Sequence, residues 1–439
     1  MRSVYFPDDE QFWFETLRSF GHIAYGGADF GEVAMTVEQI KPRDYDSWHD
    51  EWLATADRIA AEAEATLGRG HQVSARDGFL RAANYYRNAE FFLHGEPDDP
   101  RIRLAYDRQV ECFRQAAELL VPAIEPVEIP FEGTTLPGYL YRGGPPGVPL
   151  PTLVAHNGFD GSAEEMHFFG AAAAAERGFT VLTFDGPGQP GTLHRRGLVF
   201  RPDWENVVAP VLDFALKLPE VDPERVALMG VSMGGVLAPR AAAFERRLAA
   251  VIAWDGVYDM GATVLAHWPG DRDSAERQLS APENPELDAM LAQAAAADPT
   301  QAWAFSHGMW VTGQPTPRAF AAEYLKYNLR DGVAEKIQCP ALVCAGTGDT
   351  FLPGQPQELY EHLTCPKTLL EFTAVEGADA HCQSGAERIA CARILDWLEE
   401  TLNGTGADVA NGLRASGQEE GTRIAPALAA ERASEPSPR

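Results

Sequence analysis

The chain has 439 residues, 45% of them hydrophobic, and a formal net charge of −28. So acidic a surface repels nucleic acid and anionic membranes, which excludes both as expected partners. No stretch approaches eighteen uninterrupted apolar residues, so no membrane-spanning helix is expected.

Residues 1–125 read as a helical cap domain. Ser74 to Leu93 shows the period best, with apolar side chains at Phe79, Ala82, Ala83, Tyr86, Ala89 and Leu93, the three-and-four spacing of one helix face. Ser47 to Leu67 and Arg101 to Leu120 carry the same pattern. Breaks at Glu96 to Pro100 and Pro122 to Pro126 punctuate it. From Val127 the period changes. Val127 to Glu132 and Leu136 to Tyr141 read as antiparallel strands, followed by strands at Pro151 to His156 and Thr180 to Phe184. Helices are expected at Ala171 to Arg177 and Trp204 to Lys217. Further strands fall at Arg225 to Met229, Ala249 to Trp254, Ala341 to Ala345 and Thr368 to Phe372, and Glu387 to Leu402 closes with a helix. Strands alternating with helices imply a mostly parallel sheet covered on both faces, over residues 126–403. About residues 256–338 exceed what the alternation needs. Their helical patterns at Asn284 to Ala297, Gln301 to Trp310 and Pro317 to Leu325 mark a lid insertion. Residues 404–439 lose their aromatics and read as a disordered tail.

Gly230-Val231-Ser232-Met233-Gly234 joins a short apolar strand to the alanine-rich helix Val236 to Phe244. A G-x-S-x-G between strand and helix is a nucleophile elbow, which lifts the serine oxygen clear of the backbone at a helix N-terminus. A serine nucleophile needs a base and a group that orients the base. In such a sheet the chain order is serine, acid, histidine. Asp349 directly follows the strand Ala341 to Ala345, and His381 follows the strand ending at Phe372. Asp255, after Trp254, is the alternative acid or a second acid in the pocket, and Asp185 is a residue of the rim. The oxyanion requires two backbone N–H groups. Met233 supplies one, and the loop Asn157 to Gly161 supplies the other, from Phe159 in preference to Gly158. His156 either faces the substrate or closes its strand as a structural residue. Of the aromatics Phe12, Trp13, Phe14, Tyr85, Tyr86, Phe91 and Phe92, some are expected to line an apolar pocket and the rest to form core.

The six cysteines form no CxxC pair and no zinc spacing, so reduced thiols and no metal site are expected. There is no nucleotide motif, and no cofactor is expected. The first residues lack the apolar run of a signal peptide, which points to the cytoplasm.

Several segments together resemble one family. They are Ala75 to Phe92, Phe184-Asp-Gly-Pro-Gly-Gln189, Gly230 to Gly235, His307-Gly-Met-Trp-Val311 and Tyr324 to Leu329. The chain resembles the α/β-hydrolase superfamily, and within it the branch of 2,6-dihydroxypseudooxynicotine hydrolase and the fungal pigment chain-shortening hydrolases. The resemblance covers about residues 5–402. It implies an α/β-hydrolase fold under an N-terminal helical cap, a triad of Ser232, Asp349 and His381, and a small-molecule substrate. It also implies either hydrolytic cleavage of a carbon–carbon bond in a β-dicarbonyl compound or cleavage of an ester or amide. Acyl transfer to an internal nucleophile, and a non-catalytic binding protein of the same fold, are the other readings. A cap of this size adds a homodimer contact to the expectations. Two positions depart from the family pattern. Pro190 follows Gly188-Gln189 where a glycine is usual, and Asn157 precedes Gly158 where paired glycines are usual.

Overall fold

The computed structural model describes residues 3–404 except 267, 269 and 298, so the tail expectation lies, past Gly404, outside the described residues. The chain opens with helices α1 (Glu10–Gly21), α2 (Phe30–Val37), α3 (Tyr45–Gly68), α4 (Gln72–Phe91) and α5 (Pro100–Leu119). An aspartate caps four of them, Asp29 at α2 by accepting from the Gly31 N–H at 3.0 Å. Asp9, Asp44 and Asp99 accept backbone N–H bonds from Phe12, Ser47 and Arg101 at 3.0, 2.9 and 2.9 Å, which satisfies donors that a helix start leaves open. Their buried faces meet in an aromatic core. The ring of Trp48 lies 4.6 Å from that of Phe12 and 4.9 Å from that of Phe92. Its indole N–H donates to the Asn88 carbonyl at 2.8 Å.

Eight strands follow: β1 (Glu125–Phe131), β2 (Thr134–Tyr141), β3 (Leu150–His156), β4 (Thr180–Phe184), β5 (Val221–Val231), β6 (Ala250–Trp254), β7 (Ala341–Gly346) and β8 (Lys367–Phe372). They form one sheet in the order β1-β2-β4-β3-β5-β6-β7-β8. The β1–β2 and β2–β4 pairings are antiparallel and the other five are parallel. Successive side chains of a strand point to opposite faces. Leu153, Ala155, Met229, Ile252 and Leu342 therefore join a core shared with the N-terminal helices, α6 (Ala171–Glu176) and the C-terminal helix. Val154, Leu228, Val251 and Val343 join a second core on the other face.

Helices α7 (Pro190–Arg196), α8 (Glu205–Ala215) and α9 (Gly234–Phe244) follow β4 and β5. Between β6 and β7 lie α10 (Gly261–Leu265), α11 (Arg272–Leu279), α12 (Pro285–Ala297), α13 (Pro299–Thr312) and α14 (Pro317–Tyr324). This is the helical insertion expected from the sequence. Its base is closed by backbone bonds from Met260 N–H to Tyr327 at 2.9 Å and from Leu329 N–H to Tyr258 at 2.8 Å. Helices α15 (Gln355–His362) and α16 (Glu387–Leu402) complete the chain. The parallel strands all release their loops at one edge, where open α/β sheets bind ligands. Among the described residues no helix is long and apolar enough to cross a membrane.

Removing the Trp48 ring opens a large void among buried aromatics. Trp48→Ala is expected to lower stability by about 3–5 kcal/mol, read as a lower midpoint in chemical denaturation; an unchanged midpoint contradicts the packing described.

Candidate active site

Ser232 follows β5 with φ of 60°, a left-handed conformation that costs a non-glycine residue energy. The turn is held by the Ser232 N–H, which donates to the Trp254 carbonyl at 2.9 Å. It is also tight. A Cβ on Gly230 would come within 2.1 Å of the Gly234 carbonyl oxygen, so strand and helix approach only because no side chain intervenes.

His381 lies in the turn after β8, with Nε2 2.8 Å from the Ser232 hydroxyl. Its Nδ1 faces two carboxylates. The contact to Asp349 Oδ2, at 2.9 Å, has hydrogen-bond geometry, and Asp255 Oδ2 lies at 2.6 Å as an ion-pair contact. Asp349 is oriented by its own turn, where Oδ1 accepts from the Phe351 N–H at 2.7 Å. Asp255 is fully buried, and its Oδ2 accepts from the Cys382 N–H at 2.8 Å. Asp255 Oδ1 has no partner among the described residues.

Two carboxylates so close do not ionise independently. Burial, with Asp349 beside it, raises the pKa of Asp255. Burial also works against the Asp349 anion, but His381 outweighs it and lowers that pKa. Burial likewise opposes an imidazolium at His381; Cys382, Asp349 and Asp255 overcome it and hold the pKa well above 6.5. Burial pushes the Cys382 thiol up to about 12, so near neutrality it is uncharged and the carboxylates supply the effect. The negative charge therefore resides on Asp349, and Asp255 stands beside it as the more readily protonated partner. Asp255, His381 and Cys382 bring three metal-donor atoms within 4.8 Å of one another. Both imidazole nitrogens are already engaged, one by Ser232 and the other by the carboxylates, so the donor set fits hydroxyl activation rather than a metal.

The loop after β3 lies directly on the elbow. A Cβ on Gly158 would come within 2.7 Å of the Met233 nitrogen, so only glycine leaves that N–H accessible. Gly158 N–H donates to Asn157 Oδ1 at 2.8 Å, whereas the N–H groups of Phe159 and Met233 make no hydrogen bond among the described residues. Asn157 thus occupies the Gly158 N–H and leaves that of Phe159 open. Gln189 Nε2 donates to the carbonyls of Asn157 and Gly158 at 2.5 and 3.3 Å. Pro190, one of the two departures from the pattern the chain resembles, begins α7 immediately after it.

The N-terminal helices grip the same loop. Arg18 on α1 forms a two-pronged contact with Glu165 at 2.8 and 2.6 Å and donates to Asp160 at 2.9 Å. Arg87 on α4 donates to Asp160 at 3.4 Å. Apolar walls come from both helical regions. Phe14 lies 5.0 Å from Phe351, whose ring is 5.1 Å from His381, and Tyr324 lies 5.8 Å from Phe159.

Two of the candidates read from the sequence take the structural alternative. His156 does not face the substrate side. It is fully buried, its Nδ1 bonds the Asn157 carbonyl at 2.8 Å, and its Nε2 accepts from the Trp204 indole at 3.2 Å. Burial lowers its pKa to about 4, so the ring is neutral and structural. Tyr86 belongs to the helical core, where its hydroxyl donates to Asp57 at 2.6 Å and accepts from Arg108 at 3.3 Å. Phe12, Tyr85 and Phe92 are core as well, and Phe14 is the aromatic of that set that approaches His381, with ring centroids 6.1 Å apart. Asp185 is buried at the loop base, accepting from the Gly191 N–H at 2.8 Å. Arg18, Arg87, Gln189 and His307 are not singled out for the site by the sequence; the segments around Arg87, Gln189 and His307 carry only the family resemblance, and Arg18 carries no signal.

Residues 152–393 match the model of the Alpha/beta hydrolase family, and residues 38–264 match one described as Esterase FrsA-like. Hydrolase LUC6 of Fusarium sp is 35% identical over 408 residues, which cover 89% of this chain and 96% of that protein. The 20-hydroxy-prefusarin hydrolase FUS2 of Gibberella moniliformis is 36% identical over 410 residues, with the same coverage of 89% and 96%. The crystal structure of 2,6-dihydroxy-pseudo-oxynicotine hydrolase is similar with a TM-score of 0.68 at 24% identity, over 87% of this chain and 95% of that one. At that identity the likeness is one of fold.

The two acids are separable by mutation. Asp349→Asn is expected to lower kcat on an activated ester by about 10³–10⁴-fold, and Asp255→Asn by much less. A larger loss in the Asp255 variant reverses the assignment.

Proposed function

The chain belongs to the alpha/beta hydrolase family, and on that premise we propose that it is a serine hydrolase acting on a small acyl compound through Ser232, His381 and Asp349. The observation that carries this reading is the relay at His381, 2.8 Å from the Ser232 hydroxyl on one side and 2.9 Å from Asp349 on the other. Ser232 Oγ attacks a substrate carbonyl carbon, and its proton passes to His381 Nε2. Asp349 stabilises the resulting imidazolium. The carbonyl oxygen becomes an alkoxide, held by the free N–H groups of Met233 and Phe159. Collapse of that adduct breaks the bond to the leaving group, which takes the electron pair and then the proton from His381. Water, deprotonated by His381, releases the acyl group from Ser232.

The preferred leaving group is carbon. In a β-dicarbonyl the second carbonyl accepts the electron pair as an enolate, so the substrate supplies its own electron sink, and the triad needs no added group. Resemblance to hydrolases of that chemistry supports this choice, and so do the apolar walls formed by Phe14, Phe159, Phe351 and Tyr324. The match of residues 38–264 to an esterase model supports a second reading, in which the leaving group is an alkoxide and the same steps apply.

The test is intact mass after incubation with small acyl esters and β-diketones, in wild type, Ser232→Ala and His381→Ala. An acyl adduct that depends on Ser232 and accumulates in the histidine variant is expected, and diketones are expected to outpace esters in turnover. Full turnover by Ser232→Ala contradicts the mechanism. Because His381 must be neutral to accept the serine proton and its pKa is raised, kcat/KM is expected to fall as pH drops through a value above 6.5. Asp349→Asn removes a charge that favours the imidazolium, so it is expected to move that limb to lower pH; an unshifted limb argues against the pairing.

A further inference from the structure

His307 lies on α13 in the insertion and is almost completely buried. Its Nε2 stands 3.0 Å from the Phe159 carbonyl oxygen. A carbonyl can only accept, so the His307 proton is on Nε2. Its Nδ1 then offers a lone pair, which accepts from His94 Nδ1 at 2.9 Å. His94 Nε2 is bonded in turn to Glu90. His94 thus directs its Nδ1 proton at His307 and its Nε2 at the Glu90 carboxylate. Burial acts against the Glu90 anion, but His94 outweighs it and holds the carboxyl below its usual range. Burial, aided by His94, lowers His307 to about 3, which keeps that ring neutral. Stacking fixes the ring in place. Trp303 lies 4.8 Å from His307 at an interplanar angle of 8°.

This chain ends on Phe159, whose N–H has no hydrogen-bond partner among the described residues. Gln189 holds the carbonyls on either side of the Asn157–Gly158 step, and Arg18 and Arg87 hold Asp160. Without His307, Phe159 is the one residue between these anchors with no backbone hydrogen bond among the described residues. Building on the assignment of Phe159 N–H to the oxyanion, we propose that His307 is a positioning residue for the oxyanion hole. It holds the Phe159 carbonyl, in the peptide that follows the donor N–H, so that with Gln189 on the Gly158 carbonyl both peptides flanking the Phe159 Cα are tied, while the Glu90–His94 pair fixes the proton on its Nε2. The insertion thereby does more than cover the substrate: it supplies the last anchor of the loop that stabilises the transition state. A displaced donor loses its alignment with the oxyanion, and small misplacements of this kind cost large factors in rate.

The test uses a fluorophosphonate, whose phosphoryl oxygen occupies the oxyanion position when Ser232 is phosphonylated, so no natural substrate is needed. His307→Phe keeps a stacked ring but has no donor, and His307→Gln restores a donor of similar reach. The rate of inactivation is expected to fall about 10–100-fold in His307→Phe and to recover to within about threefold of wild type in His307→Gln. For an activated ester, kcat should fall in parallel with KM nearly unchanged, and the melting midpoints of the two variants should agree. Wild-type labelling by His307→Phe overturns the proposal, as does equal slowing in both variants. If His307→Phe does not fold, ¹⁵N shifts of the wild-type histidines decide the matter. A neutral His307 protonated on Nε2 is expected at pH 7, and an Nδ1-protonated or cationic ring overturns it. Absence of Ser232-dependent labelling in wild type removes the serine mechanism itself, and this inference with it; slowing confined to the His307 variants leaves that mechanism intact.

Discussion

A backbone N–H can stabilise developing negative charge only if it has no competing partner and cannot turn away. The loop after β3 meets both conditions at Phe159. Gly158 spends its own N–H on Asn157, and its lack of a side chain lets the loop rest on Met233 N. The carbonyls of residues 157, 158 and 159 all accept bonds from side chains that lie far away in the sequence. Since each peptide is planar, tying the carbonyls on one side restricts where the neighbouring N–H groups point. The cap, the lid and the β4 loop each contribute an anchor, so the three-layer architecture converges on one short stretch of backbone.

The other half of the site is organised by strain and charge. Ser232, Asp255, Cys382 and Gln383 all have positive φ between 51° and 71°, and all four lie where β5, β6 and the turn after β8 converge. Bonds between these strained segments, from Ser232 N–H to the Trp254 carbonyl and from Cys382 N–H to Asp255, hold them together. Strained backbone persists when the surroundings over-determine it. The same closeness places two carboxylates on one imidazole nitrogen. Asp349, fed by a backbone N–H, carries the charge. Asp255, buried, accepts the Cys382 N–H and keeps one oxygen unpartnered among the described residues.

The strands were legible in the sequence because their side chains are buried in short apolar runs, and β4, β6 and α16 fall within a residue of where those runs predict them. The convergence of Ser232, Asp349 and His381 was legible because an ordered topology limits where residues at these strand ends can emerge. Which aromatics line a pocket was not legible, because helical periodicity identifies a buried face without saying which neighbour buries it; for Tyr86 the neighbours are α3 and α5. His156 was ambiguous for a related reason, since a strand-end histidine can turn either way and the Trp204 indole decides it. The grip on the loop was illegible. Arg18, Arg87 and His307 lie 142, 73 and 148 residues from the positions they hold, and no local pattern encodes such pairings.

The charged grip of Arg18 and Arg87 also bears on how such chains can recombine. Glu165 is almost wholly buried against both guanidinium groups, which themselves belong to the first hundred residues. A crossover near residue 125, the natural seam between helices and sheet, would part these arginines from the acids they neutralise. Leaving a buried carboxylate without its cation costs several kcal/mol. Inheritable exchange of caps between relatives therefore requires that the loop from Asn157 to Glu165 travel with the helices, although it lies on the far side of three strands.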